Sequence, residues 1–346
     1  MTDTRRSFFH SATAIAAGLG GAATLAAQAP PPRTSPQAAG QGAGPAGGRG
    51  AAQGTGQGQG RGGRGGQQPT TPPRPAAEVQ VPKMKFGNTE ISRLICGCNP
   101  FYGFGHFNQT LGRVMTDYYT PDRVCDVLHQ CNRFGINGFN YDPIDRGLSD
   151  FLRFQAEGGK MELIAQGSMD DATEIVKTLK PAAIYRHGET TDRSYQNGEL
   201  DRVKEWCKRV RDLGVMVGVG THKPEVIAEV ESQNWDVDFY AGCVYNRTRT
   251  QDEWRKVLGG ELVEMQGDCY LQSDPPRMYK VMKASRKPCF AFKILAAGRV
   301  SNAEQAFRTA YASIKPIDGV FVGLFPIARD EVRENAERVH RLLLGS

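Results

Sequence analysis

Eight short apolar runs, each followed by a stretch of helical spacing, limit what this chain can fold into. The strand-like runs fall at residues 91–97, 138–142, 161–166, 182–187, 215–221, 238–245, 288–295 and 319–324. They carry apolar residues at consecutive positions, which suits strands buried on both faces of a parallel sheet. The helical stretches lie between and after them. The first has a clear start, with Thr120 as N-cap and Pro121 in the first turn, and a stop at Gly135. Others are expected at 148–156, 170–179, 200–213, 224–232, 302–314 and 329–344, with a long helical region ending near residue 284. Residues 99–119 read as a long loop. Parallel neighbours need a crossover, and a helix supplies it. Eight such units over about 250 residues predict a (β/α)8 TIM barrel. The alternative, an open doubly wound sheet, calls for a glycine-rich phosphate turn after the first strand. Cys96-Gly97-Cys98-Asn99-Pro100 does not have that form.

The barrel is expected to occupy residues 81–346, because the front of the chain cannot build a core. Residues 30–80 are almost wholly Gly, Pro, Gln, Ala and Arg, with little large apolar surface to offset the entropy of ordering. They read as a disordered linker. An RNA-binding segment would interleave aromatic residues with Arg49, Arg61 and Arg64, and none is present. Residues 1–80 carry seven Arg against one Asp and one Glu, so they account for most of the chain's net charge of +6. The remainder is nearly neutral, which argues against nucleic acid as a partner. All eight Cys lie beyond the linker, with no CxxC pair and no zinc spacing, and read as buried small side chains.

Before the linker, Thr4-Arg5-Arg6-Ser7-Phe8-Phe9-His10 precedes an Ala/Gly-rich apolar stretch that ends near Ala27-Gln28-Ala29. Residues 1–29 resemble a twin-arginine export signal. The stretch is too short to span a bilayer comfortably. The resemblance implies export of a folded protein by the twin-arginine machinery, a periplasmic or extracellular location, and only transient contact with the membrane.

The strand ends carry a second resemblance. The stretch from Phe86 to Leu94, Gly135-Ile136-Asn137-Gly138-Phe139-Asn140, Ile184-Tyr185-Arg186-His187 and Gly218-Val219-Gly220-Thr221 follow one another in order. After them come Val244-Tyr245-Asn246, the run from Lys293 to Arg299, and Glu334-Asn335-Ala336. Together they resemble the aldo/keto reductases over residues 84–340. That family works with an Asp, a Tyr, a Lys and a His. Here His187 matches the His, while Asn140, Asp145 and Gln166 stand at the Asp, Tyr and Lys positions. A carboxylate is a different acid from a phenol. The resemblance implies NADP(H), with Arg329, Arg333 and Asn335 as the cofactor-binding residues.

A TIM barrel carries its site at the C-terminal strand ends. The candidates there are Asn99, Tyr102, Asn140, Gln166 and Asn246 for substrate binding. His187, Asp142, Asp145, Glu189 and Lys293 are the catalytic candidates. His187 and His222 with Asp142 and Glu189 form a possible divalent-metal set, since imidazole and carboxylate suit such ions. The same two histidines equally suit plain hydrogen bonding to a substrate. Lys293 reads either as a Schiff-base amine or as a lysine paired with a mouth carboxylate such as Asp142. The aromatic, glycine-containing stretch around His106 reads as a lid or as a plug.

Three functions fit these residues. The first is acid/base isomerase, epimerase or lyase chemistry on a small carbonyl or sugar-like substrate, with or without a metal. The second is an NADP(H)-dependent oxidoreductase with a rearranged acid. The third is a barrel that binds a sugar or a protein without turnover.

Overall fold

The computed structural model of this chain describes residues 72–260 and 267–345. The expected export signal, and the expected linker up to residue 71, lie outside the described residues. The part of that linker nearest the barrel is packed. Arg74 N–H donates to Glu337 Oε1 at 2.9 Å, Gln80 N–H donates to His340 Nδ1 at 2.9 Å, and Val79 is buried. The chain therefore meets the barrel some residues earlier than position 81.

A hairpin comes first, β1 (Lys83–Phe86) paired antiparallel with β2 (Thr89–Ser92). Eight strands then close a parallel barrel: β3 (Leu94–Gly97), β4 (Gly138–Tyr141), β5 (Glu162–Gln166), β6 (Ala183–Arg186), β7 (Met216–Thr221), β8 (Phe239–Cys243), β9 (Cys289–Phe292) and β10 (Gly319–Gly323). They lie in chain order around the barrel, and β10 returns to pair with β3 through Val320–Leu94 and its neighbours. The expected TIM barrel is what forms.

The helices are α1 (Gln109–Tyr118), α2 (Pro121–Arg133), α3 (Gly147–Ala156), α4 (Met169–Leu179), α5 (Gly188–Gln196) and α6 (Asp201–Arg211). They continue with α7 (Pro224–Ser232), α8 (Gln251–Leu258), α9 (Asp274–Ala284), α10 (Ala303–Ser313) and α11 (Glu331–Leu344). Local chemistry sets their starts. Thr120 Oγ1 accepts from Arg123 N–H at 3.3 Å ahead of α2. Ser168 and Asp171 form a reciprocal capping box on α4, and Thr250 and Glu253 form another on α8.

Three expectations about helices change. The long loop at 99–119 contains α1, capped by Asn108 Oδ1 accepting from Leu111 N–H at 2.8 Å. The helical region before residue 284 is two separate helices, α8 and α9. Helix α5 begins directly after His187, on the polar sequence Gly-Glu-Thr-Thr-Asp-Arg-Ser-Tyr-Gln. Those residues carry no apolar stripe, so periodicity could not reveal the helix.

The barrel interior is filled from below. Met84, Phe86 and Ile91 of the hairpin join Ile95, Ile164, Tyr185, Phe239, Phe290 and Phe321 in one buried cluster. Phe86 meets both Phe239 and Phe290 edge-on, with centroids 5.3 Å apart. Asn137 fixes this plug: its Oδ1 accepts from Ser92 N–H at 2.6 Å, and its Nδ2 donates to Glu90 O at 2.9 Å. A packed floor leaves only the opposite, C-terminal end for a site. Gly138 stands where plug and wall touch. A Cβ at Gly138 would come within 2.8 Å of both Ile91 and Ile95, which are fully buried and β-branched. Gly138→Ala is expected to lower stability by about 1–3 kcal/mol, read as a fall in the denaturant midpoint; an unchanged midpoint would mean that the plug yields freely.

Candidate functional site

The polar residues at the C-terminal end fall into two groups. On the β4–β6 side, Asn140 Nδ2 donates to Ile164 O at 3.2 Å and to the Tyr185 hydroxyl at 2.9 Å. Gln166 Nε2 donates to Asp142 Oδ2 at 2.9 Å, and both side chains are buried. Gln166, at the expected lysine position, therefore serves as a hydrogen-bond donor to the neighbouring strand's carboxylate. Asp142 is engaged there rather than with Lys293, so the expected Lys293–Asp142 pair is not what the fold builds.

The second group centres on Arg247, which follows β8. Its side chain is 8% exposed. Arg247 Nη1 lies 3.3 Å from His222 Nε2 and 3.6 Å from Glu189 Oε1. Nη2 donates to Asp268 Oδ1 at 2.6 Å and lies 3.3 Å from His106 Nδ1. One guanidinium thus gathers residues from the segments after β3, β6, β7 and β8.

Behind His222 stands Asp192, fully buried on α5. His222 Nδ1 is 2.7 Å from Asp192 Oδ2. The same carboxylate accepts from His222 N–H at 3.2 and 3.1 Å, from the Thr248 hydroxyl at 2.9 Å, and from the Thr221 hydroxyl. A carboxylate is an acceptor, so the imidazole proton belongs on Nδ1 and Nε2 presents its lone pair toward Arg247. Gly188 makes room for this ring: a Cβ there would lie 3.0 Å from His222 Cε1. His222 is thus an oriented imidazole, the geometry a general base requires.

The lid stretch closes over this group. Asn99 Nδ2 lies 3.4 Å from His106 Nε2, and His106 Nδ1 lies 3.2 Å from Asp268 Oδ2. Asn99, placed at the mouth by the sequence pattern, does stand there. Arg299 Nη1 and Nη2 donate to His106 O and Phe107 O at 2.9 and 3.2 Å. Burial, then the nearby Lys293 charge, pushes His106 down to about 4, so its ring is neutral near neutrality. Burial alone would raise Asp268, but hydrogen bonds from His106 and Arg247 hold it well below the usual carboxylate range.

Lys293 is the first residue past β9 and has φ +61, a left-handed conformation that a non-glycine residue adopts at a cost. No carboxylate among the described residues lies within ion-pair distance of its amine. Burial first, and the Arg247 charge second, push Lys293 down to about 7. Cys243 beside it is pushed up to about 11 by burial and stays a thiol.

His187 follows β6 as the residue before α5, at the same end of the barrel, and is partly buried. Other expected residues are engaged in local contacts. Asp145 is 62% exposed and pairs with Arg146 at 3.7 Å, so it does not replace the phenol of a reductase. The Tyr102 hydroxyl donates to buried Asp150 at 3.3 Å, a structural bond beneath α3. Asn246 caps its own loop, its Oδ1 accepting from Thr248 N–H at 3.2 Å.

The metal set does not assemble. Among the described residues no group of three or more His, Cys, Asp or Glu side chains stands where it could hold an ion. The reason is visible at His222: one ring nitrogen is bound to Asp192, and the other faces the Arg247 guanidinium.

The expected NADP(H) residues do not form an open phosphate cradle either. Arg329 is 67% exposed and pairs with Glu334 at 2.9 Å; Arg333 pairs with Glu337 at 3.0 Å; Asn335 is buried and accepts from Arg338. Glu331 Oε2 accepts from Phe325 N–H at 2.7 Å. A carboxylate thereby takes a backbone donor near the start of α11, where a phosphate would need one.

Comparison with known proteins gives the fold without an activity. No family model matches the sequence, and no curated protein matches it. Solved structures that share the barrel include a truncated 3-deoxy-D-arabino-heptulosonate 7-phosphate synthase from Thermotoga maritima, 13% identical over 76% of this chain and 91% of that one, TM-score 0.45. A thermostable aldo-keto reductase is 11% identical over 74% and 99%, TM-score 0.37. A sugar phosphate isomerase/epimerase from Parabacteroides distasonis is 12% identical over 72% and 92%, TM-score 0.34. None of these likenesses carries its activity over to this chain.

Sequence reasoning missed Asp192, Arg247 and Asp268. Asp192 sits on helix α5, which periodicity does not reveal, and residues 267–273 around Asp268 form no helix or strand. The capping box Thr250-x-x-Glu253 was a legible signal that a helix begins there and that the residues just before it belong to a loop above the barrel.

Burying an amine without a carboxylate costs stability, and the sign of the pH dependence follows. Folded Lys293 loses its proton near 7, whereas the unfolded chain keeps it to about 10.5. Between those values the unfolded state binds more protons, so this residue's penalty is full below pH about 7 and fades as pH rises toward about 10.5. Lys293→Met is expected to raise the melting temperature most below pH about 7 and progressively less above it. A gain independent of pH would show that Lys293 titrates normally.

Proposed function

We propose that this chain is a barrel enzyme that moves protons next to the carbonyl of a small polar, sugar-like or oxo substrate, as isomerases, epimerases and lyases do. The observation that carries this reading is the buried Asp192–His222 pair, with Nε2 turned toward Arg247 at the C-terminal end of the barrel. In this mechanism the substrate oxygen draws Arg247 Nη1 away from His222 Nε2, and the freed Nε2 takes a proton from the carbon beside the carbonyl. Asp192 holds the imidazolium that forms, keeping tautomer and orientation fixed. The Arg247 charge stabilises the developing enolate oxygen in a site with little water. Lys293, able to hold or release a proton near neutrality, delivers a proton to oxygen or to the opposite carbon face. The neutral His106 and the clamp of Arg299 on its backbone close the site over the reactants.

The test is carbon-bound hydrogen exchange in deuterium oxide, followed by NMR with a panel of small oxo and hydroxy-carbonyl compounds. Exchange is expected in the wild type, and His222→Ala or Asp192→Asn is expected to slow it by about 10²–10⁴-fold. Equal rates in all three proteins would sink the assignment. Borohydride added during turnover should leave Lys293 unmodified; a reduced adduct there would make Lys293 a nucleophile instead.

We further propose that the chain is exported by the twin-arginine route, supported by Arg5 and Arg6 ahead of the apolar stretch. Replacing both by Lys in the full chain should abolish its appearance outside the cytoplasm on fractionation. Unimpaired export of that variant would point to another route.

A further inference from the structure

A guanidinium has five N–H donors. The protein supplies partners along the Nη side of Arg247: His222, Glu189, Asp268 and His106. Arg247 Nε is buried and has no hydrogen-bond partner among the described residues. Leaving a buried charged donor unmatched costs more than an ordinary hydrogen bond gains. The neighbouring Lys293 is repelled by the Arg247 charge, which Asp268 and Glu189 offset only in part. One of the two carboxylates on Arg247, Glu189, is half exposed and 3.6 Å away, so it is a weak partner. A fold that holds two neighbouring cations at its mouth, one with an unmatched inward donor, is built to receive an anion.

We propose that Arg247 Nε binds the carboxylate of the substrate, so that the substrate is a small 2-oxo or 2-hydroxy acid rather than a neutral carbonyl compound or a free sugar. This rests on the acid–base reading of the site, with the reacting carbon presented to His222 Nε2. A carboxylate fits because it is a charged acceptor, and it gives the one unmatched guanidinium donor a charge-assisted hydrogen bond. Arg247 then has two parts to play: its Nε holds the carboxylate that does not react, and its Nη side faces the developing enolate oxygen.

Binding to the full-length chain would be measured by calorimetry with acetate, pyruvate, 2-oxobutanoate and glycerate, each against its neutral amide. At least one carboxylate is expected to bind and its amide is not. Arg247→Gln is expected to weaken binding about tenfold to a hundredfold, the loss typical of a charge-assisted hydrogen bond. Should that variant fail to fold, the wild type answers alone: with ¹⁵N-labelled arginine, one Nε–H resonance should move on adding the carboxylate. No binding across the set, binding that leaves every arginine Nε–H resonance in place, or binding of inorganic phosphate as tight as that of the carboxylates would overturn the proposal. Failure of the underlying reading looks different. Carboxylate binding through Arg247 without any hydrogen exchange would remove the proposed chemistry and keep the anion site. Hydrogen exchange on neutral carbonyl compounds as fast as on the matching carboxylates would do the reverse.

Discussion

Everything at the open end of this barrel depends on one buried guanidinium. Taking a charge out of water costs on the order of several kcal/mol unless partners replace the solvent. Arg247 finds them on four different segments: His106 after β3, Glu189 after β6, His222 after β7, and Asp268 late in the β8–β9 connection. None of these segments is held to the others by sheet hydrogen bonds at that level. The guanidinium ties them together, and its rigid planar fork fixes their angles in a way an ammonium could not. Asp268 then passes the constraint on to His106, and Arg299 pins the backbone of the same lid stretch. The stretch around His106 is therefore held over this end of the barrel by polar contacts rather than by apolar packing alone.

The barrel beneath supplies the opposite kind of order. Its floor is aromatic and dry, with Phe86, Phe239, Phe290 and Phe321 packed against the hairpin. That arrangement asks little of exact side-chain chemistry, and its signature in the sequence is a repeating pattern of apolar runs. The pattern is why the strand count, the closure and the hairpin position were legible. The Gly-Ile-Asn step before β4 has a physical meaning apart from any resemblance: Asn137 ties the hairpin to the wall, and Gly138 leaves room for Ile91 and Ile95.

The site was legible only in part, for a related reason. Residues at strand ends can be read off once the strands are placed, so Asn99, His187, His222 and Lys293 could be assigned to that end of the barrel. What each one does depends on partners from loops and on helix α5, which no period announces. Asp192 fixes the ring of His222 through Nδ1, and it lies on a helix whose sequence looks like a polar loop. Asp145 and Tyr102 erred the other way. Their spacing from β4 and β3 suggested the mouth, but local ion pairing with Arg146 and a buried bond to Asp150 hold them elsewhere. Position along a strand is set by backbone periodicity, whereas chemical role is set by tertiary contacts.

The same contrast bears on why the altered tetrad does not imply an inert barrel. A barrel that had lost its chemistry would gain stability by relaxing the features that chemistry required. This one keeps Lys293 in a left-handed conformation, depresses its proton affinity beside Arg247, and leaves Arg247 Nε without a partner. Each is unfavourable on its own, and together they occupy one place at the end where barrels of this kind carry their sites. Replacing Lys293 by an apolar residue would relieve the second of the three. The strain at this end is thus concentrated on two adjacent residues, Lys293 and Arg247, and an anion of the kind proposed above would offset it.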